Sequence, residues 1–266
     1  MKNISPQAYV DPKAKIGENV TIYPFAYIEG DVEIGDNCVI MPYVSVLNGT
    51  RMGKNNTVYQ NTVICSIPQN FHYVPGTPCR VEIGDNNVIR ENVVIAGSLT
   101  PATATIIGSD NSLMNKVHIC HDVNIGSHCV IGISVSISPE CEIHNWAILS
   151  SACVVQHKVR VGRMALLQSG SRIQQDLLPY SVFGGNPAAY HGVNSYIMQK
   201  VIEGCDERVL RHVSNAFRLV TSGNFSLEDA VIKIREQIPE GYETRTITEF
   251  ITSSKVGVIR NVNRED

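Results

Sequence analysis

A chain of 266 residues can bury a sizeable core as one large domain or two smaller ones, which excludes a miniature scaffold that needs staples to fold. Hydrophobic residues make up 43% and charged residues 18%, with 20 Gly, 12 Pro and a single Trp, a balance that suits turn-rich β structure. A net charge of -3 lacks the strongly basic footprint of a nucleic-acid binder, so no nucleic-acid partner is expected.

The N-terminal segment MKNISPQAYV has no apolar run of the signal-peptide kind. No later segment approaches the roughly 18 consecutive apolar residues of a membrane span. The expectation is a cytoplasmic protein with no transmembrane segment. Its 8 cysteines are dispersed, without CxxC pairs or zinc-like spacing, which suits reduced thiols.

From Val10 onward an apolar residue opens every sixth position: Ile16, Ile22, Ile28, Ile34, Ile40, Val46, Met52, Val58 and Ile64. The pattern resumes, one residue out of step, at Ile83, Ile89 and Ile95, and then runs unbroken from Ile107 through Ile119, Ile137 and Val155 to Ile173. A helix of period 3.6 cannot hold a six-residue repeat on one face, whereas short strands joined at regular corners can. Four residues after each opening position the slot is often small, as at Val20, Ala26, Val44, Val117, Val123 and Ala147. Two inward residues in six fit a narrow prism, a parallel β-helix. Cys38, Cys129, Cys141 and Cys153 take the small slot and are expected to be inert core residues.

Two stretches interrupt the repeat: 65–82, CSIPQNFHYVPGTPCRVE, and 96–106, AGSLTPATATI. Both are rich in Pro, Thr, Gly or Ser and read as loops thrown out from corners, where solenoids often gather function. After Ile173, LLPYSVFGGNPAAYHGVN carries turn chemistry. Beyond it Val209, Leu210, Val213, Phe217 and Val220 mark a helical face, Ser226 reads as an N-cap before Val231 and Ile234, and a third helix is expected over 246–253. The expected organisation is a β-helix over 1–190 and a small helical domain over 191–266.

The stretch KVHICHD, Lys116 to Asp122, collects two histidines, a cysteine and an aspartate. With Ile119 inward, strand alternation turns Val117 inward and His118 and Cys120 outward, leaving His121 and Asp122 at an exposed corner. Taking 18 residues per coil, His157 lies two coils above His121, about 9 to 10 Å away, too far to share a metal with it. Three readings stand: a thiol at Cys120, a zinc site completed across subunits from His118 and His121, or a histidine general base beside a carboxylate.

The hexapeptide pattern resembles the hexapeptide-repeat acyltransferases, which implies a left-handed parallel β-helix of three hexapeptides per coil. IGDNNVIRENVVI, GSDNSLMNKVHICHD, QQDLLPY, GGNPAAYHGVN and VSNAFRLV carry a nearer resemblance, to the cytoplasmic UDP-N-acetylglucosamine O-acyltransferases that begin lipid A synthesis with an acyl carrier protein thioester. That resemblance implies His121 as catalytic base, Asp122 as its polarising partner and His118 lining the cleft. It implies attack of a sugar 3-hydroxyl on a 3-hydroxyacyl thioester, in a homotrimer with clefts between neighbouring prisms. Asn70, His72, Gln156, His157, Asn194 and Lys200 fall on substrate-contact positions, and Ser169 on the one that measures acyl length. Lys158, Arg160, Arg163 and Arg172 are candidate contacts to an acidic carrier protein.

No cofactor and no metal enter this reading. The chain departs from the family pattern at Pro139, where a glycine N–H is thought to stabilise the oxyanion, at Glu140, and at Gln156-His157, where the order is reversed. Ala96-Gly97-Ser98-Leu99 replaces a basic and polar run and offers no cation to a nucleotide phosphate. A divergent member is expected. A paralogue with another nucleotide-sugar acceptor, a catalytically impaired nucleotide-sugar-binding relative and a trimeric carbonic anhydrase-like metalloenzyme are the alternatives.

Overall fold

The structure, a computed structural model, describes residues 3–222 and 224–260. The repeat becomes strands of mostly two or three residues, which form three sheets of eleven, nine and eight strands among the described residues. Successive strands, six residues apart, fall in different sheets; within the prism each lies parallel to the strand one coil away, as in Asn3 beside Thr21 and His118 beside Ser136, 18 residues on. The fold is the parallel β-helix that the periodicity implies, left-handed as the resemblance implies, followed by helices.

Pairing distances along the chain locate the two excursions. Val63 pairs with Val94, 31 residues on, and Val94 with His118, 24 residues on, before the 18-residue spacing returns. The prism takes back Cys65–Ser66 and Val81–Glu82 from the first interrupted stretch, and Ala96, Thr105 and Ile106 from the second. The excursions themselves span 67–80 and 97–104.

Inside, the opening aliphatics from Ile22 to Ile173 are buried, while Val10 and Ile16 are only half-buried near the chain's first coils. The small slots are filled as expected, and Cys38, Cys129, Cys141 and Cys153 are fully buried. Each of these thiols donates to a carbonyl of the adjacent coil, as Cys141 does to Gln156 at 2.9 Å. At 56, 87 and 111 the same slot holds asparagine. Each oxygen accepts an N–H from the next coil, and each amide donates to a glycine carbonyl, so three buried polar side chains run up the prism fully bonded.

Corners repeat with a left-handed residue, including Phe25, Asp122 and Trp146, in a conformation that disfavours any side chain but which closes each turn. Past the prism, the antiparallel strands Ser181–Gly185 and Ala188–Val193 lead into four helices rather than the three expected: α1 (Ser195–Val201), α2 (Glu207–Thr221), α3 (Leu227–Gln237) and α4 (Tyr242–Thr252). Helix α1 is too short to show a periodic face. Ser226 caps α3 through the Asp229 N–H, as expected, whereas α4 begins four residues before the expected start because Thr244 and the Gly241 backbone close its first turn. A second core, with Met164, Leu178, Tyr180 and Phe217, joins the helices to the last coils.

Candidate active site

His118 and Ile119 form a short strand between Val94 and Ser136, and with Val117, Ile119 and Val123 buried the alternation turns His118 outward. The next corner is not exposed as expected: His121 is only 3% accessible. The excursion 67–80 folds over it and sets the Asn70 amide nitrogen 2.9 Å from His121 Nε2. The orientation of that amide is determined locally, because Asn70 Oδ1 already accepts the His72 N–H at 2.8 Å.

On the other side of the ring, His121 Nδ1 lies 2.8 Å from Asp122 Oδ2. An ionised carboxylate can only accept, so Nδ1–H donates to it, and the Asn70 N–H donates to the lone pair on Nε2. The ring therefore stands neutral, in the tautomer whose Nε2 can take a proton.

Asp122, left-handed at φ 59°, is held from the second excursion. Leu99 N–H donates to Oδ2 at 3.1 Å, and the Asp122 N–H donates to Thr105 Oγ1 at 2.9 Å. Asp122 Oδ1 is buried without a hydrogen-bond partner among the described residues. Neither Leu99 nor Thr105 was singled out from sequence: one acts through its backbone, and the other lies in a stretch whose path the repeat does not specify.

Cys120 is half-buried, burial pushes its thiol pKa up, and among the described residues no base bonds to it, which disfavours the thiolate that a nucleophile needs. Burial likewise holds the His118 imidazole below the ordinary range. Among the described residues no group of three or more His, Cys, Asp or Glu side chains gathers as a metal site.

Among the described residues the other candidates make no hydrogen bond to the dyad. His157 is exposed and pairs with Glu140 at 3.0 Å, with Lys158 3.6 Å from the same carboxylate. Half-buried Gln156 donates its N–H to Ile173 and accepts the Cys141 thiol. Ser169 is exposed at a corner, and Lys200 is exposed on α1 beside the Tyr196 ring. Asn194 is buried, its amide donating to the Met164 carbonyl at 2.8 Å. Pro139 accepts from the Lys158 N–H and has no N–H of its own.

Two of the four basic residues considered for carrier contact are engaged within the chain. Arg160 is bound to buried Asp176 at 2.7 Å, and Arg163 donates to Tyr242 at 3.1 Å.

Comparison with known proteins agrees with this fold. A family model described as Udp N-acetylglucosamine O-acyltransferase, domain 2, matches residues 176–259, and one described as bacterial transferase hexapeptide (six repeats) matches 13–41 and 31–66. The crystal structure of LpxA, a UDP-N-acetylglucosamine acyltransferase from Bacteroides fragilis, superposes with a TM-score of 0.91 at 39% identity, covering 96% of this chain and 99% of that one. The Francisella novicida UDP-N-acetylglucosamine acyltransferase gives a TM-score of 0.91 at 28% identity, over 98% and 95% of the two chains. The acyl-(acyl-carrier-protein)–UDP-N-acetylglucosamine O-acyltransferase of Burkholderia lata is 39% identical over 98% of this chain and 100% of its own. At 39% identity over nearly the full length of both chains, the chain belongs to the family of UDP-N-acetylglucosamine O-acyltransferases.

Proposed function

We propose that this chain moves a 3-hydroxyacyl group from an acyl carrier protein thioester to the sugar 3-hydroxyl of UDP-N-acetylglucosamine, the first step of lipid A synthesis. One observation carries the reading: His121 presents Nε2 as a proton acceptor while Nδ1 is tied to Asp122. The Asn70 N–H that now donates to Nε2 marks where the acceptor hydroxyl binds. As that hydroxyl attacks the thioester carbonyl, its proton passes to Nε2 and the imidazolium is stabilised by Asp122. The thiol of the carrier leaves with a proton returned from the same nitrogen.

Asn70, His72, His118, Gln156, His157, Asn194 and Lys200 are proposed as substrate contacts, and Ser169 as the floor of the acyl slot. Apart from buried Asn194 these residues are spread over the surface of one chain, which supports a homotrimer whose clefts lie between prisms. Exposed Ile67, Phe71 and Val74 on the loop over His121 support a neighbouring surface there as well. The family resemblance also supports a cytoplasmic location.

The test is transfer by the purified protein with a 3-hydroxyacyl carrier protein and UDP-N-acetylglucosamine. Wild type is expected to form the acylated sugar, and His121→Ala to lose about 10²- to 10⁴-fold in kcat, the usual weight of a general base. A wild type that binds the nucleotide sugar without transferring would overturn the reading.

A further inference from the structure

At most left-handed corners of this prism the backbone N–H is passed to the coil beneath, and the corner holding the dyad departs from that pattern. At Lys116, Ser134, Glu140, Trp146, Ala152 and Lys158 the left-handed residue gives its N–H to a backbone carbonyl of the coil beneath. Those acceptors are Glu91, Asn115, His121, Ser127, Ile133 and Pro139, at 2.8 to 3.2 Å. Asp122 has the same φ but donates instead to the Thr105 hydroxyl. The cause is the second excursion. Residues 97–104 leave the prism where the coil beneath Asp122 would have turned, and the chain returns only at Thr105.

Thr105 is fully buried and firmly placed. Its strand pairs with Val81–Ile83, and its own N–H donates to the Arg80 carbonyl. A carbonyl oxygen in this place could only accept, whereas a hydroxyl accepts and also has a proton to give. The exchange therefore gives the backbone N–H of Asp122 a side-chain hydroxyl as its acceptor, at the residue whose Oδ1 is buried and unpartnered among the described residues. The same excursion supplies the Leu99 N–H to Oδ2. Both of its ends hold Asp122.

We propose that Thr105 is a positioning residue for the reaction, setting through its hydroxyl the turn of Asp122 on which the orientation of His121 Nδ1 depends. This rests on the general-base reading above. A methyl-bearing side chain that merely fills space would contribute to stability alone, whereas a positioning hydroxyl acts on kcat.

Thr105→Val, nearly the same shape without the hydroxyl, and Thr105→Ser, the hydroxyl without the methyl, separate these roles in the full-length protein. For Thr105→Val, kcat is expected to fall about 10- to 100-fold with KM within about twofold, while Thr105→Ser keeps kcat within about threefold of wild type. Thr105→Ala serves as the second hydroxyl-free variant should the valine protein not fold, and is expected to lose kcat likewise. In an Asp122→Asn background, loss of the Thr105 hydroxyl is expected to add no further decrease, since both changes act on one element. Wild-type kcat in a folded hydroxyl-free variant, a serine variant as slow as valine, or additive losses with Asp122→Asn would each overturn the proposal. Those outcomes are distinct from failure of the underlying reading, in which wild type itself transfers nothing or His121→Ala retains full rate.

Discussion

His121 depends on two neighbours of opposite character. Asp122 withdraws no proton but holds Nδ1–H, and Asn70 covers the nitrogen that must do the chemistry. Asp122→Asn offers the ring an amide in place of a carboxylate, so the tautomer is no longer enforced. An expected loss of about 10²-fold or more in kcat, with nucleotide-sugar affinity preserved, is checked by steady-state rates beside equilibrium binding. Pro139 raises a complementary issue. An oxyanion-hole donor is commonly worth 10²- to 10³-fold in kcat, and proline has no N–H to offer. Pro139→Gly is therefore expected to raise kcat about tenfold or more; an unchanged rate would mean that another donor faces the oxyanion.

Among the elements, a buried ion pair adds to the apolar contacts at the seam between the last coils and α4. The Asp176 side chain is 1% exposed and accepts from the Arg160 guanidinium, the Arg160 N–H and Ser254. Arg160 also donates to the Phe250 carbonyl and lies 4.2 Å from that ring's centroid, so a single guanidinium spans prism and helix. Removing the carboxylate leaves that cation buried without its partner, which typically costs about 3–5 kcal/mol. Asp176→Ala is expected to lower the chemical-denaturation midpoint accordingly, a loss read directly from the unfolding curve. This use of Arg160 also shows why an outward basic residue in a repeat cannot be assigned to a partner from spacing: the element that engages it lies 90 residues further on.

In the whole molecule, the proposed shared cleft requires a trimer. Light scattering behind size exclusion is expected to give a mass near three times 29.2 kDa, and a monomeric mass with full activity would reject the shared cleft. Much of this architecture was legible beforehand because the six-residue period is a local property. It states which residue points inward without reference to anything distant, and so it identified the prism, the inert cysteines and the outward turn of His118. The excursions were legible as interruptions, but not in their path. That His121 is covered by Asn70, that Thr105 takes the place of a carbonyl beneath Asp122, and that α1 forms at all depend on contacts between segments far apart in sequence. Periodicity determines direction one residue at a time, whereas burial of a polar group and the partner of each hydrogen bond are decided only when coils, loops and helices close on one another.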